Sequence, residues 1–421
     1  MTKEIWIINH YATSMFENQS GRHYYFAKYL QSNGFKVTIY CANQFHKQSK
    51  EISIKSGKSV TRIVDGIAFK FIKTVPSVGN GLKRLLNMWM FYKNVTKVMK
   101  SDINSRKTLN LIIGSSVHPL SVKAALKIGK PNNIPVIAEI RDLWPEAIAY
   151  YGKLKENSLV YKCIQKWEKN LYVESDAIIF TKPGDHEYII ENGWNQGNSK
   201  IVDLNKCYYI NNGIDLKTFE ANLQNHPKPS RGSKKHVTYV GAIRPVNEIE
   251  KIVRTAELLR QNKDVVFDIY GSGSELERLK KLAESLKLSN INFHGSILNR
   301  YVPSILTQSD VNLLTYSQTK YNWSRGNSSN KLFEYLAAGK PIVSTFSMGF
   351  SLFNEREIGT EIHNASPLEI ADAILKYLDM DSQTINQIRV NAQEMANRFD
   401  YKNLSEKLLS IIKKTVLSNV N

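Results

Sequence analysis

The chain contains 421 residues, 42% of them hydrophobic, and this length predicts two domains of about 200 residues each rather than a single core. Its 57 Lys and Arg residues against 38 Asp and Glu give a formal charge of +19, so nucleic acid, an anionic membrane and phosphorylated substrates are all candidate partners. The apolar run Ile5-Trp-Ile-Ile is too short for a signal peptide or a membrane span, and three widely spaced cysteines form no disulfide or metal-ligand pattern, which predicts a cytoplasmic protein.

The first half of the chain begins with a βαβ pattern. Ile5-Trp-Ile-Ile predicts a buried strand, residues 9–19 a polar loop, and Ser20 the N-cap of the following helix. Gly21 lies where the backbone either approaches a ligand or packs tightly. Further short apolar runs, separated by helical patterns, predict a mostly parallel sheet, and they cover residues 109–113, 135–139, 177–180 and 207–210.

Polar residues gather at the predicted carboxyl ends of these strands, the edge at which parallel sheets bind ligands. His118 follows a buried strand, and this position favours a functional role over that of a loop histidine bonded to backbone. Asp142 beside Arg141 fits a functional carboxylate and a structural ion pair equally well. Glu139, Lys182 and Asn212 also lie at these ends.

Two further patterns interrupt the alternation. Residues 60–72 predict a hairpin around the two-residue turn Asp65-Gly66. Residues 82–100 predict a helix on which Leu86 and Met90 fall in the same sector as several cations. Such a surface suits a helix resting on an anionic bilayer, although an ordinary domain helix packed on its broad apolar side also fits.

Residues 222–235 contain two prolines, a glycine and a basic cluster, and we place the domain boundary there. Strand and helix patterns then alternate again. Gly241 and Arg244 follow one predicted strand and Gly271-Ser272-Gly273 the next, an arrangement in which a backbone nest and a cation meet a pyrophosphate. The third glycine of the dinucleotide fingerprint is missing, which argues against a dehydrogenase.

Residues 321–345 predict a loop, a short helix and a buried strand. Ser328, Ser329 and Asn330 are able to cap the helix, and Gly339 ends it. Lys331 and Glu334 lie near the start of this helix, where a cation, a carboxylate and free amide groups suit the phosphate and sugar of a nucleotide. A well-capped core helix with one surface Lys and one surface Glu is the alternative.

Seven motifs in order resemble those of family 4 glycosyltransferases of the GT-B fold, in particular bacterial O-antigen and capsule enzymes similar to the fucosamine transferases. The motifs are Gly21-Arg-His-Tyr-Tyr-Phe-Ala-Lys, Val117-His-Pro, Glu139-Ile-Arg-Asp-Leu-Trp-Pro-Glu, Ile210-Asn-Asn-Gly-Ile-Asp-Leu-Lys-Thr-Phe, Tyr239-Val-Gly-Ala-Ile-Arg, Tyr270-Gly-Ser-Gly and Ser329-Asn-Lys-Leu-Phe-Glu-Tyr-Leu-Ala-Ala-Gly-Lys-Pro-Ile-Val.

The resemblance implies an α/β protein with two doubly wound, Rossmann-like domains facing a central cleft. Residues 1–221 would bind the acceptor and residues 236–398 the nucleotide sugar. The amphipathic helix within 399–421 would cross back to the first domain.

The resemblance also implies functional residues. Glu334 matches the second glutamate of the family's pair, which binds the ribose, whereas Gly326 replaces the first, so the donor sugar cannot be carried over. Arg244 matches the diphosphate-binding cation, Lys331 would supply a second charge, and His118 matches the histidine that touches the donor sugar. We assign donor binding to Gly21, Gly241, Arg244, Gly271, Ser272, Gly273, Gly295, Asn330, Lys331 and Glu334, acceptor binding to Arg22, His23, Glu139, Arg141 and Asp142, and the chemistry to His118, Arg244, Lys331 and Glu334.

From this resemblance we expect a retaining, metal-independent enzyme without a cofactor. It would transfer a sugar, favoured as a UDP-linked N-acetylated aminosugar, to a polyprenyl-diphosphate-linked glycan for O-antigen or capsule. It would act in the cytoplasm, peripherally on the inner face of the membrane, and would not bind nucleic acid. A sugar-nucleotide epimerase on the same fold and a non-enzymatic, basic nucleic-acid-binding protein are the alternatives.

Overall fold

The computed structural model describes residues 3–45, 50–76, 81–104, 109–150, 154–156, 158–197, 199–227, 232–318 and 323–418. Contacts divide the chain into two compact units, which are described separately. The first unit contains Met1–Asn211 and Tyr401–Asn421, and the second contains Asn212–Asp400.

Within its described residues the first unit has an eight-stranded sheet in the order β3-β4-β2-β1-β5-β6-β7-β8, and only the β3–β4 pair is antiparallel. The strands are β1 Lys3–Ile8, β2 Phe35–Ala42, β3 Ser59–Val64, β4 Ile67–Ile72, β5 Leu109–Ser116, β6 Val136–Ile140, β7 Ala177–Phe180 and β8 Cys207–Tyr209. The helices are α1 Thr13–Asn18, α2 Arg22–Ser32, α3 Leu82–Asn104, α4 Leu120–Gly129, α5 Glu146–Tyr150, α6 Leu159–Glu174 and α7 Glu187–Glu191.

The core of the first unit lies on both faces of this sheet. Along β1, Ile5 and Ile7 belong to one buried cluster, while Trp6 and Ile8 belong to the other. Since successive side chains of a strand point to opposite faces, a strand covered on both sides must be apolar at every position. This requirement explains the continuous apolar run at the start of the chain.

The described part of the second unit has a six-stranded sheet in the order β11-β10-β9-β12-β13-β14, in which every neighbouring pair is parallel. The strands are β9 Lys235–Val240, β10 Val265–Tyr270, β11 Ile291–Gly295, β12 Val311–Leu314, β13 Ile342–Ser344 and β14 Gly359–Glu361. The helices are α8 Leu216–Asn225, α9 Ile249–Leu258, α10 Leu276–Ser285, α11 Val302–Thr307, α12 Asn330–Ala338, α13 Pro367–Leu378 and α14 Ser382–Arg398. Short 3-10 helices occur at Lys130–Asn132, Leu204–Lys206, Pro245–Asn247, Asn299–Tyr301 and Leu352–Asn354.

The division by contacts falls earlier in the chain than the expected linker over 222–235. Helix α8 belongs to the second unit because Phe219 packs in the same buried cluster as Val302 and Leu306 of α11. Residues 228–231 of the expected linker, and residues 321 and 322 of the stretch over 321–345, lie outside the described part of the chain.

The last helix, α15 (Tyr401–Ser418), packs on the first unit, as predicted. Tyr401 stacks on Tyr25 of α2 with ring centroids 4.9 Å apart. Leu404 and Leu408 are buried in the cluster that also contains Ile5 and Ile7. The helix therefore completes one face of the first core.

Three local predictions can be compared with these elements. The hairpin is confirmed, and both turn residues have positive φ angles, 49° at Asp65 and 77° at Gly66. The expected polar loop over 9–19 is wrong in part, because α1 occupies Thr13–Asn18. Ser20 is not the N-cap of α2; Gly21 takes that position with a φ of 105° and no capping side chain.

Candidate active site

The first group of predicted residues lies at the carboxyl edge of the second sheet. Strand β9 pairs with β10 on one side and with β12 on the other, so the direction of strand order changes at β9. In open α/β sheets the crevice beside such a switch point binds ligands. Gly241 and Arg244 follow β9, Tyr316 follows β12, and α12 begins near them with Asn330.

Lys331 is held between two aromatic rings at this edge. Its Nζ donates a hydrogen bond to the Tyr239 hydroxyl at 3.0 Å and lies 4.8 Å and 4.3 Å from the ring centroids of Tyr239 and Tyr316. A Cβ on Gly241 would lie 2.8 Å from Lys331 Cε, so the glycine leaves room for the lysine side chain. The second unit therefore holds an ammonium group at its switch point through hydrogen bonding and cation–π contacts.

Lys331 and Glu334 influence each other. Burial lowers the pKa of Lys331 to about 7, with Arg244 acting in the same direction and Glu334 opposing it. Burial raises the pKa of Glu334 to about 7, and Lys331 opposes that shift. Because both groups titrate near neutrality, an anionic ligand that favours the charged lysine would change their protonation on binding.

Arg244 is exposed beside a cavity of about 440 Å³. Other cations around this cavity are paired, since Lys251 contacts Glu248 at 2.8 Å and Arg278 contacts Glu250 at 2.8 Å. Among the described residues, Arg244 has no such ion pair. Its guanidinium is therefore the cation of this group that is suited to a phosphate.

The predicted glycines have a different role from the one expected. A Cβ on Gly271 would lie 1.7 Å from Gly241 O, and one on Gly273 would lie 2.0 Å from Ile243 O, so neither position accepts a side chain. The amide of Gly241 donates to Tyr270 O, and that of Gly271 donates to Gly295 O. These two amides are not available to a phosphate, which corrects part of the predicted nest. Ser272 is exposed, and its carbonyl accepts a hydrogen bond from Ile243 N–H.

The start of α12 also differs from the prediction. Ser329 is the N-cap residue, but its side chain does not cap the helix. Its hydroxyl is 2.8 Å from the Tyr316 hydroxyl instead, and Asn330 is exposed. The predicted side-chain cap is therefore wrong for Ser329.

In the first unit, His118 lies at the carboxyl end of β5 and contacts a second histidine at the end of β1. His118 Nε2 is 2.6 Å from His10 Nδ1, and His10 is stacked between Tyr11 and Phe91. Burial, with the charge of Arg84, lowers the pKa of His118 to about 3. His118 Nδ1 is buried and has no hydrogen-bond partner among the described residues. His118 is therefore a neutral imidazole that is 1% exposed, and its Nδ1 lies in the interior.

Three of the predicted acceptor residues form a buried structural network instead. Glu139 accepts hydrogen bonds from Arg22 at 2.6 Å and from Ser115 at 2.7 Å, and it lies 2.7 Å from His23 Nε2. Arg22, His23 and Glu139 are only 3%, 1% and 2% exposed. Since an acceptor sugar cannot reach groups that are buried and already bonded to one another, we do not retain these residues in the acceptor site.

Arg141 and Asp142 are half-buried at the carboxyl end of β6. Burial raises the pKa of Asp142, and the charges of Lys182, Arg141 and Arg84 oppose this shift. Asp142 therefore lies within the field of three cations. The sequence analysis placed Lys182 at this edge without assigning it a role, and it did not predict that Arg84 of α3 acts on the same carboxylate.

The turn that follows Asp142 is fixed by Glu168, a buried residue for which the sequence held no signal. Glu168 Oε1 accepts hydrogen bonds from Trp144 N–H and the Tyr172 hydroxyl, both at 2.9 Å. The Tyr188 hydroxyl lies 3.1 Å from Glu168 Oε2 and 3.2 Å from Trp144 O. One hydroxyl proton cannot serve both acceptors, whereas a protonated Glu168 can donate to Tyr188, which then donates to Trp144. Burial raises the pKa of Glu168 to about 8, in agreement with this arrangement.

Residues 222–395 match the family described as glycosyl transferases group 1. "Putative teichuronic acid biosynthesis glycosyltransferase TuaH" of Bacillus subtilis is 24% identical to this chain over 259 residues, and the match covers 61% of this chain and 62% of that protein. Among solved structures, the sucrose-phosphate synthase of Thermosynechococcus elongatus covers 99% of this chain and 100% of its own at 15% identity, with a TM-score of 0.70. Anabaena HepE, solved in complex with UDP and glucose, covers 97% of this chain and 99% of its own at 14% identity, with a TM-score of 0.63.

These likenesses bear on the fold and the class of protein. The solved structures are GT-B glycosyltransferases, so the predicted α/β fold of two Rossmann-like domains is confirmed. The family match and the curated relative support the predicted enzyme class, a glycosyltransferase. The match with that relative spans less than two thirds of its length.

We expect Glu168→Gln to become more stable relative to wild type as pH rises from 5 to 8. The folded-state pKa of Glu168 is raised to about 8. In wild type, the stabilisation that the protonated Glu168 contributes is therefore complete below the ordinary pKa of a carboxyl group, and it is lost as pH rises through about 8. Glutamine donates the same hydrogen bond to Tyr188 without titrating. In thermal melts between pH 5 and 8, the difference in free energy of unfolding between Glu168→Gln and wild type should change by at least about 1.4 kcal/mol, the equivalent of one pKa unit.

Glu168→Leu is the matched control, since it keeps the volume but removes the hydrogen bonds, and it should be destabilised at every pH. A constant difference between wild type and Glu168→Gln across the range would contradict a protonated Glu168.

Proposed function

We propose that this protein is a retaining, metal-independent glycosyltransferase that uses a nucleotide-sugar donor, with a UDP-linked N-acetylated aminosugar as the favoured donor. The proposed acceptor is a polyprenyl-diphosphate-linked glycan in the synthesis of a bacterial surface polysaccharide, O-antigen or capsule. The protein would act in the cytoplasm at the inner face of the membrane. In this proposal its activity is similar to that of the fucosamine-type transferases.

The observation that carries the proposal is the arrangement of Arg244, Lys331 and Glu334 at the switch point of the second sheet. In our proposal the two cations bind the diphosphate, and Glu334 accepts hydrogen bonds from the ribose hydroxyls. Residues matching glycosyl transferases group 1 include all three positions. HepE, whose structure was solved with UDP and glucose, shares the fold, which supports UDP as the first nucleotide to test.

The proposed reaction breaks the bond between the anomeric carbon and the phosphate and forms a bond from the same face to the acceptor oxygen. The hydroxyl proton of the acceptor passes to the leaving phosphate, so the products are a nucleoside diphosphate and the extended glycan. Arg244 and Lys331 stabilise the charge that develops on the diphosphate. Within the described residues no group of three or more His, Cys, Asp or Glu side chains is placed to hold a metal ion, and metal independence stays a prediction.

We expect UDP to raise the melting temperature of wild type by mass action, and Arg244→Ala and Glu334→Ala to reduce its affinity. Each loss should be roughly 1.5–3 kcal/mol, as for a hydrogen bond to a charged group, and titration calorimetry in the presence of EDTA measures it. Arg254→Ala is the matched control because Arg254 lines the same cavity but pairs with Glu257 at 3.2 Å. If neither UDP, GDP nor dTDP shifts the melting temperature, the donor site is refuted.

His118→Ala should lower turnover while leaving UDP affinity within about twofold, since the proposed role of the neutral imidazole is to orient a sugar through one hydrogen bond. With a pKa of about 3, His118 keeps the same protonation state from pH 6 to 9, so the ratio of wild-type to variant turnover should be constant over that range. Steady-state transfer rates measure both quantities. Equal turnover of the two proteins would remove His118 from the reaction.

The proposed membrane contact lies on the first turns of α3. Leu82, Leu85, Leu86 and Trp89 are 83%, 57%, 48% and 50% exposed. Asn87, between these exposed residues in sequence, is buried and donates a hydrogen bond to Val75 O. Lys93 Nζ lies 4.8 Å from the Trp89 ring centroid, so a cation borders the apolar residues. None of the helices within the described residues combines the length and hydropathy needed to cross a membrane.

In flotation assays we expect wild type to bind anionic liposomes more than neutral ones, and high salt to reduce this binding. Lys83, Lys93 and Lys97 changed together to Gln should weaken it, each cation contributing on the order of 1 kcal/mol. The control changes three exposed lysines elsewhere on the first unit to Gln, namely Lys28, Lys36 and Lys162. If the two triple variants float equally well, α3 is not the docking element.

A further inference from the structure

Two loops are neighbours at the carboxyl edge of the first sheet, the β6 loop (residues 141–145) and the β7 loop (residues 181–186). Strands β6 and β7 pair in parallel, and Thr181 N–H donates to Ile140 O at 3.2 Å where they end. The β6 loop carries Arg141 and Asp142, which remain the candidate acceptor residues. The β7 loop carries Lys182, whose charge acts on Asp142. The positions of these two loops therefore determine the surroundings of Asp142.

Asp142 lies between two fixed points of the β6 loop. On one side, Arg141 N–H donates to a carbonyl at the end of β5 at 3.3 Å. On the other side, Trp144 N–H donates to Glu168 Oε1 at 2.9 Å, and Trp144 O accepts a hydrogen bond from the Tyr188 hydroxyl at 3.2 Å. The conformation of the loop at Asp142 therefore depends on the contacts of Trp144.

Tyr188 of α7 joins this loop to the β7 loop. It follows Lys182 through Asp185, whose N–H donates to Lys182 O and whose carbonyl accepts from Tyr188 N–H, both at 3.3 Å. Its hydroxyl reaches Trp144 O in the β6 loop. Tyr188 is completely buried, and its ring centroid lies 5.0 Å from that of Trp194, so water does not replace this contact. One buried hydroxyl thus connects the two loops.

The protonation state of Glu168 decides where this hydroxyl donates. A protonated Glu168 donates to Tyr188, and Tyr188 then donates to Trp144 O. An ionised carboxylate only accepts hydrogen bonds, so the Tyr188 proton turns to Glu168 Oε2 at 3.1 Å, and the bond to Trp144 O is lost. Ionisation of Glu168 therefore removes the connection between the loops.

Glu168 is the group of this cluster that changes its charge between pH 6 and 9. Burial raises the pKa of Glu168 to about 8, and the hydrogen bond from Trp144 N–H opposes this shift. Burial also raises the pKa of Tyr172 and Tyr188, so both tyrosines stay protonated in this range. Other titratable groups that act on the cluster come from three elements, and they are Glu146 of α5, Tyr161 of α6 and Asp185 of the β7 loop.

We propose that Glu168 is a positioning residue for the acceptor edge, which in its protonated form holds the β6 and β7 loops together through Tyr188 and Trp144 and on ionisation releases them. The proposal rests on the proposed function in one respect, since it gives the two loops a role in holding the acceptor. Acceptor binding by the first unit would weaken as pH rises through about 8. Glu168 would not affect donor binding, which we assign to residues of the second unit.

The test is amide hydrogen exchange of the full-length protein, measured by mass spectrometry in peptides that cover residues 141–148 and 182–190. Wild type and Glu168→Gln are compared at the same pH, which removes the intrinsic pH dependence of exchange. Glutamine keeps the acceptor for Trp144 N–H and the donor for Tyr188 without titrating. We expect equal exchange at pH 6. At pH 9 both peptides should exchange about fivefold faster in wild type, the factor for loss of one hydrogen bond.

Labelling times are chosen at which peptides of β1 remain protected, so that the loops are observed without unfolding of the whole unit. Tyr188→Phe is the second variant, because it removes the hydroxyl that joins the loops, and it should show the faster exchange already at pH 6. Tyr172→Phe is the matched control, since this hydroxyl bonds to Glu168 and not to Trp144, and it should exchange like wild type at pH 6.

Two results would overturn the proposal. One is equal exchange of wild type and Glu168→Gln at pH 9, and the other is wild-type exchange of both loop peptides in Tyr188→Phe at pH 6. Either result alone is sufficient, so the proposal stays falsifiable if one of the two variants fails to fold.

A UDP titration keeps this result separate from the proposed function. Wild type and Glu168→Gln should bind UDP with the same affinity at pH 6 and at pH 9, because Arg244, Lys331 and Glu334 belong to the second unit. Absence of UDP binding by wild type, together with the expected exchange, would refute the donor site and leave the connection of the loops in place. Normal UDP binding without the exchange difference would refute the connection alone.

Discussion

The ends of four elements in the first unit depend on one buried carboxylate. Glu139, near the end of β6, holds Arg22 and His23 of α2 and Ser115 of β5, and Arg22 continues to the carbonyl of Ile210 at 2.9 Å. Burial alone would raise the pKa of Glu139, but Arg22 and His23 hold it well below the ordinary value. An ionised carboxylate without these partners would be costly in this interior. Removal of either Arg22 or His23 would therefore destabilise the whole network.

The second unit also contains a buried carboxylate that contacts several elements, but this one lies further from the carboxyl edge of its sheet. Asp268, within β10, lies 2.6 Å from His236 on β9 and 2.7 Å from His294 on β11. His294 also stacks on Tyr270 with centroids 4.2 Å apart. Asp268 thus joins three neighbouring strands below the carboxyl edge, which leaves that edge to Arg244, Lys331 and the tyrosines. In the first unit the buried carboxylate lies close to the edge itself and positions the residues around it.

The alternation of elements could be predicted from the sequence because it depends on local spacing. Buried parallel strands must be apolar on both faces, and β1 shows this directly in Ile5 to Ile8. The surroundings of the site residues could not be predicted in this way. Lys331 meets Tyr239 across 92 residues of sequence, and His118 meets His10 across 108, distances at which periodicity carries no information. Arg22, His23 and Glu139 occur in motifs that resemble ligand-binding ones, but only tertiary contacts reveal that they bind one another.

Helix α15 has a consequence for the order in which the two units can fold during translation. Its Leu404, Leu408 and Ile412 fill the same buried cluster as Ile5 and Ile7, so residues that follow the second unit complete a core begun by residues that precede it. The second unit, by contrast, is continuous in sequence from Asn212 to Asp400. During translation all residues of the second unit are synthesised before the first unit is complete. The N-terminal unit usually folds first, but here its core can be completed only after the second unit has been synthesised. Until α15 has been synthesised, the buried cluster around Ile5 and Ile7 has α2 packed on it but lacks the last helix.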